Sequence, residues 1–208
     1  MFFELEPQAV LDDLGDKVVN GLSRSVALAR VDLDDYRTMA PGWVATSSER
    51  GLGNWIHDRM WTHAAGLLDG VDGVSLVDNE PTREIYIGTR YWLRLKRHHL
   101  DGSVSTYPTP TALDFLGQGG TMPLPGLGVV SLIVGYEWVR EARKMGTAVL
   151  SLRTSADDIV WVVELPDVGE LGGGGEVVRP TVPGPKPPTV TMPGDAAQPD
   201  KTEGTAQE

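Results

Sequence analysis

Cysteine is absent from this 208-residue chain. That excludes disulfides, thiol nucleophiles and cysteine-ligated zinc or iron–sulfur centres. Histidine is scarce, with four in all. His57 and His63 are six residues apart, so on a helix they do not stack. Asn54 to His63 also lacks the His-Glu-x-x-His spacing of a zinc protease helix. His98 and His99 are adjacent and fall on opposite sides of a strand. No metal site is expected from this set. Gly-x-Ser-x-Gly does not occur. The glycines between Gly117 and Gly128 lack the Lys-Ser/Thr of a phosphate loop and the strand–turn–helix setting of a dinucleotide site. No cofactor is expected. No apolar run approaches the ~20 residues that cross a bilayer. The N-terminus lacks the basic-then-apolar order of a signal peptide, so a soluble cytoplasmic protein is the expectation.

Positive charge is also in short supply. Eighteen Lys and Arg stand against 29 Asp and Glu, a net charge of −11. Such a chain is repelled by nucleic acid at long range, and no helix carries a basic face. Nucleic acid is therefore an unlikely sole target.

What is present is concentrated in Glu84–His99. From Arg83 to His99 there are five Arg or Lys and one acid, a local charge of +4. The stretch alternates with a period of two. Arg90, Trp92, Arg94, Lys96 and His98 fall on one side, and Tyr91, Leu93 and Leu95 on the other. Successive side chains of a strand point to opposite faces, so one face is apolar and the other cationic with a Trp in it. Guanidinium groups suit a phosphate or carboxylate, and Trp92 can stack. These five residues are the candidate ligand- or partner-binding site. The bland alternative is a solvated strand face paired with acids such as Glu84 and Glu137, each pair contributing ~0.2–1 kcal/mol.

Around this strand the pattern reads as α+β. Val10, Leu11, Leu14, Val18, Leu22, Val26 and Ala29 recur at helical spacing, which predicts helix over 7–37, weakened by Gly15 and Gly21. Ser47 or Ser48 can cap a second helix over 48–68, with Leu52, Ile56, Met60 and Ala64 as its stripe. Strands follow over 74–77, 83–87 and 90–99. Thr109 and Pro110 open a short helix. Val129 to Trp138 is apolar on both faces and reads as a central strand. Two more strands lie at 148–152 and 159–165. Helices first and strands afterwards predict N-terminal helices packed on a mostly antiparallel six-stranded sheet, or a partly open barrel. The single domain is expected to span 1–168. The remainder, 169–208, holds four consecutive glycines and a run of prolines. It cannot bury enough apolar surface to offset chain entropy, and it is expected to be a disordered tail.

Asp78, Glu80 and Glu84 raise a carboxylate alternative. Helix–strand–strand–strand order with acids at strand ends resembles the front half of the PD-(D/E)XK nuclease fold, which works through metal ions. In Glu84-Ile-Tyr86, Tyr stands where that motif has Lys. A simple turn also accounts for Asp78-Asn79-Glu80.

Longer motifs carry a second resemblance. Gly53-Asn-Trp-Ile-His-Asp-Arg-Met-Trp61, Leu68-Asp-Gly-Val-Asp-Gly-Val-Ser-Leu-Val77, Arg90 to His99 with Ser105-Thr-Tyr-Pro-Thr109, and Gly135-Tyr-Glu-Trp138 together cover about 48–165. They resemble an uncharacterised family of small bacterial proteins, mostly actinobacterial or mobile-element encoded. Members are encoded beside a helix-turn-helix regulator fused to an ImmA/IrrE-type metallopeptidase. The resemblance implies a regulatory or phage-defence pair and brings no catalytic residue, since the protease residues belong to the neighbour. The leading expectation is a non-enzymatic regulatory or adaptor protein that binds such a partner, or a small anionic ligand, through the 90–99 strand. The alternative is a divergent metal-dependent nuclease.

Overall fold

The computed structural model describes residues 5–79, 82–118 and 128–166. The tail expected over 169–208 and most of the Gly117–Gly128 loop lie outside them. Four helices come first: α1 (Pro7–Leu14), α2 (Asp16–Met39), α3 (Pro41–Thr46) and α4 (Glu49–Leu68). Strands β1 (Val74–Asn79), β2 (Thr82–Ile87) and β3 (Tyr91–His99) follow, then α5 (Pro110–Leu116), then β4 (Val130–Val139), β5 (Lys144–Arg153) and β6 (Ile159–Glu164).

The long N-terminal helix is two helices. The chain breaks at Gly15, whose φ of 79° is a conformation that L side chains rarely adopt. Pro41 opens α3, since a first-turn residue needs no N–H partner. Ser48 caps α4 by accepting from the Gly51 N–H at 3.0 Å, and Thr109 caps α5 by accepting from Ala112 N–H at 3.2 Å.

All six strands form one sheet in sequence order, β1 to β6. Among the described residues β1 and β6 are the two ends and do not pair, so the sheet is open and not a barrel. Every neighbour is antiparallel except β3 and β4, which run parallel from Tyr91↔Val130 to His99↔Trp138. A parallel pair needs a crossover, and the segment containing α5 supplies it.

That crossover gives the sheet two covered faces. Leu93 and Leu95 of β3, with Leu132 and Val134 of β4, meet Leu22, Val26, Leu52 and Ile56 of the N-terminal helices in the main core. On the other face Phe115 and Leu116 of α5 pack with Ile133, Val104 and the half-buried Trp92. β4 sits between both layers, which is why its run is apolar on both sides. Gly135 interrupts that run for a steric reason. A Cβ there would lie 1.7 Å from the Lys96 carbonyl oxygen on the paired strand. Among the described residues no helix is long and apolar enough to cross a membrane.

Candidate functional site

The period-two alternation of β3 is realised, and the odd face packs into the main core as its apolar residues dictate. The even face is not an open cationic strip. Arg94 is 8% exposed, and its Nε and NH2 donate to Glu84 Oε1 at 3.0 and 2.5 Å. Its guanidinium lies 4.7 Å from the Trp92 ring centroid and 4.5 Å from that of Phe115. Trp92 in turn stacks on Tyr86 at 6.0 Å and meets Phe115 edge-on at 4.7 Å. Tyr86 donates to the second Glu84 oxygen at 2.7 Å. Burial and the Glu84 carboxylate push the Tyr86 hydroxyl up to about 12. Charge, counter-charge and ring faces are thus matched inside the fold.

His98 is 1% exposed, and its Nε2 shares a hydrogen bond of 2.9 Å with Ser151 Oγ. Burial, then the nearby Arg153, push the imidazole down to about 3, so it is neutral at pH 7. Arg153 is equally buried. It donates to Ser151 Oγ at 3.0 Å, to the Ala156 carbonyl at 3.1 Å and to the Gly102 carbonyl. Its partners are neutral oxygens, and burial pushes it down to about 10. The buried pair His98 and Arg153 ties β3 to β5 and to the loop before α5.

Two members of the stripe remain accessible. Arg90, at the entrance to β3, pairs with Asp13 of α1, whose Oδ2 also accepts from the Tyr91 hydroxyl at 2.7 Å. Leu5, Ala9, Asp12, Asp13, Arg90 and Tyr91 line a shallow cavity of about 450 Å³ there. Lys96 is half-buried and has no ion pair among the described residues; burial, then Arg94, lower its ammonium. The five residues therefore do not converge on one pocket. Arg94 and His98 are buried, Trp92 and Lys96 half-buried, and Arg90 exposed at the entrance to β3.

No family model, curated protein or solved structure matches this chain. The site has to be read from its own geometry.

That geometry separates the acids of the carboxylate alternative. Glu84 faces α5 with Arg94, while Asp78 faces the N-terminal helices. There Asp78 accepts from Trp61 Nε1 at 2.9 Å and from Arg83 Nε at 3.2 Å. The β1–β2 register explains the split, because Asp78 lies opposite Arg83 and Glu84 opposite Val77, one step out of phase. Among the described residues no three His, Asp or Glu side chains gather as a metal would require. Glu80 lies outside the described residues.

Two polar clusters escaped the sequence reading. Arg97, on the helix-facing side of β3, donates to Glu49 Oε2 at 3.0 Å, and Trp138 Nε1 donates to the same oxygen at 3.1 Å. On the outer side of the helices, Asp32 Oδ2 accepts from Arg59 Nε at 2.7 Å and lies 2.7 Å from His63 Nε2. Neither cluster has a local motif, since Glu49 lies 48 residues from Arg97, and Asp32 lies 27 and 31 residues from Arg59 and His63. Arg153 left one trace in the sequence, a cation directly after the mostly apolar run Ala148–Leu152.

Proposed function

We propose that this protein is a non-enzymatic adaptor that binds a protein partner. The resemblance in sequence makes a helix-turn-helix/metallopeptidase regulator, in a phage-defence or mobile-element pair, the first partner to test. The observation that carries the adaptor reading is the surface. Met39 and Trp43, at the α2–α3 corner, are 78% and 71% exposed, and Tyr107, just before α5, is 82% exposed. Large apolar side chains held in water in an acidic chain are the kind that anchor protein interfaces. The cations of β3 support the reading by what they do instead. Arg94 and His98 are occupied within the fold, leaving Arg90 and Lys96 as the stripe's accessible charges.

Capture of purified regulator by the immobilised full chain tests this. Trp43→Ala with Met39→Ala is expected to weaken capture at least tenfold while leaving the melting temperature within a few degrees. Unchanged capture by that variant and by Tyr107→Ala would sink the reading. A second occupant, a small anion, is favoured by one observation, the Lys96 ammonium, which has no ion pair among the described residues. A titration with inorganic phosphate against Lys96→Ala decides it. The nuclease alternative has no shared carboxylate site among the described residues to support it. Plasmid DNA incubated with Mg²⁺ or Mn²⁺ should stay intact with both the wild-type chain and Glu84→Gln.

A further inference from the structure

The two strands that end the sheet differ in how their outer edges are protected. β1 reads Val-Ser-Leu-Val-Asp-Asn, half of it polar. β6 reads Ile-Val-Trp-Val-Val-Glu, with its one charge at the end. Among the described residues β6 pairs with β5 alone.

The phase of that pairing is fixed. Leu165 N–H donates to the Ala148 carbonyl at 2.8 Å, and Val163 lies opposite Leu150 and Trp161 opposite Leu152. Hydrogen-bonded pairs recur every second residue, so Trp161 and Val163 turn their backbone groups to β5 and bury their side chains. Val162 and Glu164 turn their N–H and C=O groups outward. An unpaired row of backbone donors and acceptors on a strand rich in β-branched residues is a template for another strand. Natural edges are blunted by Lys, Pro, an inward charge or a bulge. Ile159 to Val163 has none of the first three, and its one irregularity, the register shift between Ile159 and Trp161, lies at the start of the strand, ahead of Val162 and Glu164.

Charge selects the occupant. From Thr154 to Pro166 the chain has three acids, Asp157, Asp158 and Glu164, and no base. Asp157 and Asp158 are exposed just before β6, and Glu164 closes it. A second copy added antiparallel brings these three acids against the same three with no base in the segment to offset them, and with Trp161 opposite Trp161 it sets Glu164 of one chain beside Asp158 of the other. Like charges placed so are destabilising. A strand with cations at its two ends meets carboxylates at both.

We propose that the outer edge of β6 takes up an extended peptide segment of a protein partner by strand addition, the segment being apolar at alternate positions with Lys or Arg at both ends. This rests on the adaptor reading and adds the recognition element.

The test uses the full chain and a fluorescein-labelled peptide, Lys-Val-Thr-Val-Thr-Val-Lys, followed by anisotropy at low salt. The same peptide with Glu at both ends, and one with Pro at its centre, serve as comparators. Wild type is expected to bind the Lys-ended peptide, and the comparators at least fivefold more weakly. Val162→Pro removes an outward N–H without touching a β5 bond, and proline is tolerated at such edge positions. It is expected to weaken binding at least tenfold, and Val162→Lys, which guards the edge and leaves its backbone intact, to do the same. The Val162 amide should exchange quickly with solvent in the free chain and slowly once peptide is added.

Equal binding of the Lys-ended and Glu-ended peptides, or wild-type binding by Val162→Lys, overturns the proposal. A Val162 amide already protected in the free monomer also overturns it, because the chain then covers its own edge. Concentration-dependent dimers abolished by Val162→Lys overturn it in favour of a second copy. Loss of peptide binding with partner capture through Trp43 intact removes this inference and leaves the adaptor reading standing.

Discussion

The two faces of β3 carry neighbouring residues of one strand into opposite kinds of interior. Leu93 and Leu95 enter the main core, where apolar area removed from water is the whole of the interaction. Arg94 enters the layer beneath α5, and His98 the space on the same face between β5 and the loop before α5, where each buried polar group needs a partner. The difference teaches that a cationic stripe can be a packing device. Glu84, Ser151 and the rings of Trp92 and Phe115 make it so.

The comparison breaks hardest at the ion pair. Glu84→Ala leaves the Arg94 guanidinium buried without its counter-charge and is expected to cost about 3–5 kcal/mol in urea unfolding. Arg94→Met combined with Glu84→Leu should recover most of that loss, because burial then no longer involves charge. If the double variant were as unstable as the single, the pair would be more than a matched burial. On the apolar face, Leu93→Ala should cost about 2–5 kcal/mol through the cavity it leaves, with no such rescue from a charge.

His98 sharpens the contrast through pH. Its folded value of about 3 lies below the ordinary 6.5. Between those values the unfolded chain takes up a proton that the folded chain does not. Stability is therefore full above pH 6.5 and falls as the pH drops toward 3, at up to about 1.4 kcal/mol per unit from this residue. His98→Gln should flatten the slope of unfolding free energy between pH 6 and 4 relative to wild type. An unchanged slope there would mean that the imidazole is not the group responsible. The smallest effect is expected at the margin of the stripe. Arg90 is half-exposed in its pair with Asp13, so Arg90→Ala should change stability by less than about 1 kcal/mol.

Particular residues show where sequence reading stops. Thr109 with Pro110, and the pair Ser47-Ser48 of which Ser48 is the cap, announced their helices because a cap works through neighbours two or three residues away. The doubly apolar run of β4 announced a central strand. Gly15 was visible as a weak point, but its positive φ, and hence a break between two helices, was not. The parallel pairing of β3 and β4 has no local signal, since it depends on where α5 carries the chain. The partners of Arg153 and Arg97 lie up to 51 and 48 residues away, beyond any periodicity.

The sequence by itself determined the α+β class, the element order and the alternation of β3, because these follow from interactions within a few residues and from the two periods of helix and strand. Only the tertiary structure decided that the even face of β3 is roofed by α5, that Glu84 and Asp78 look to opposite sides of the sheet, and that β6 is left at an edge. Those outcomes depend on which elements meet, and a charge is a binding group or a packing group according to what lies across from it.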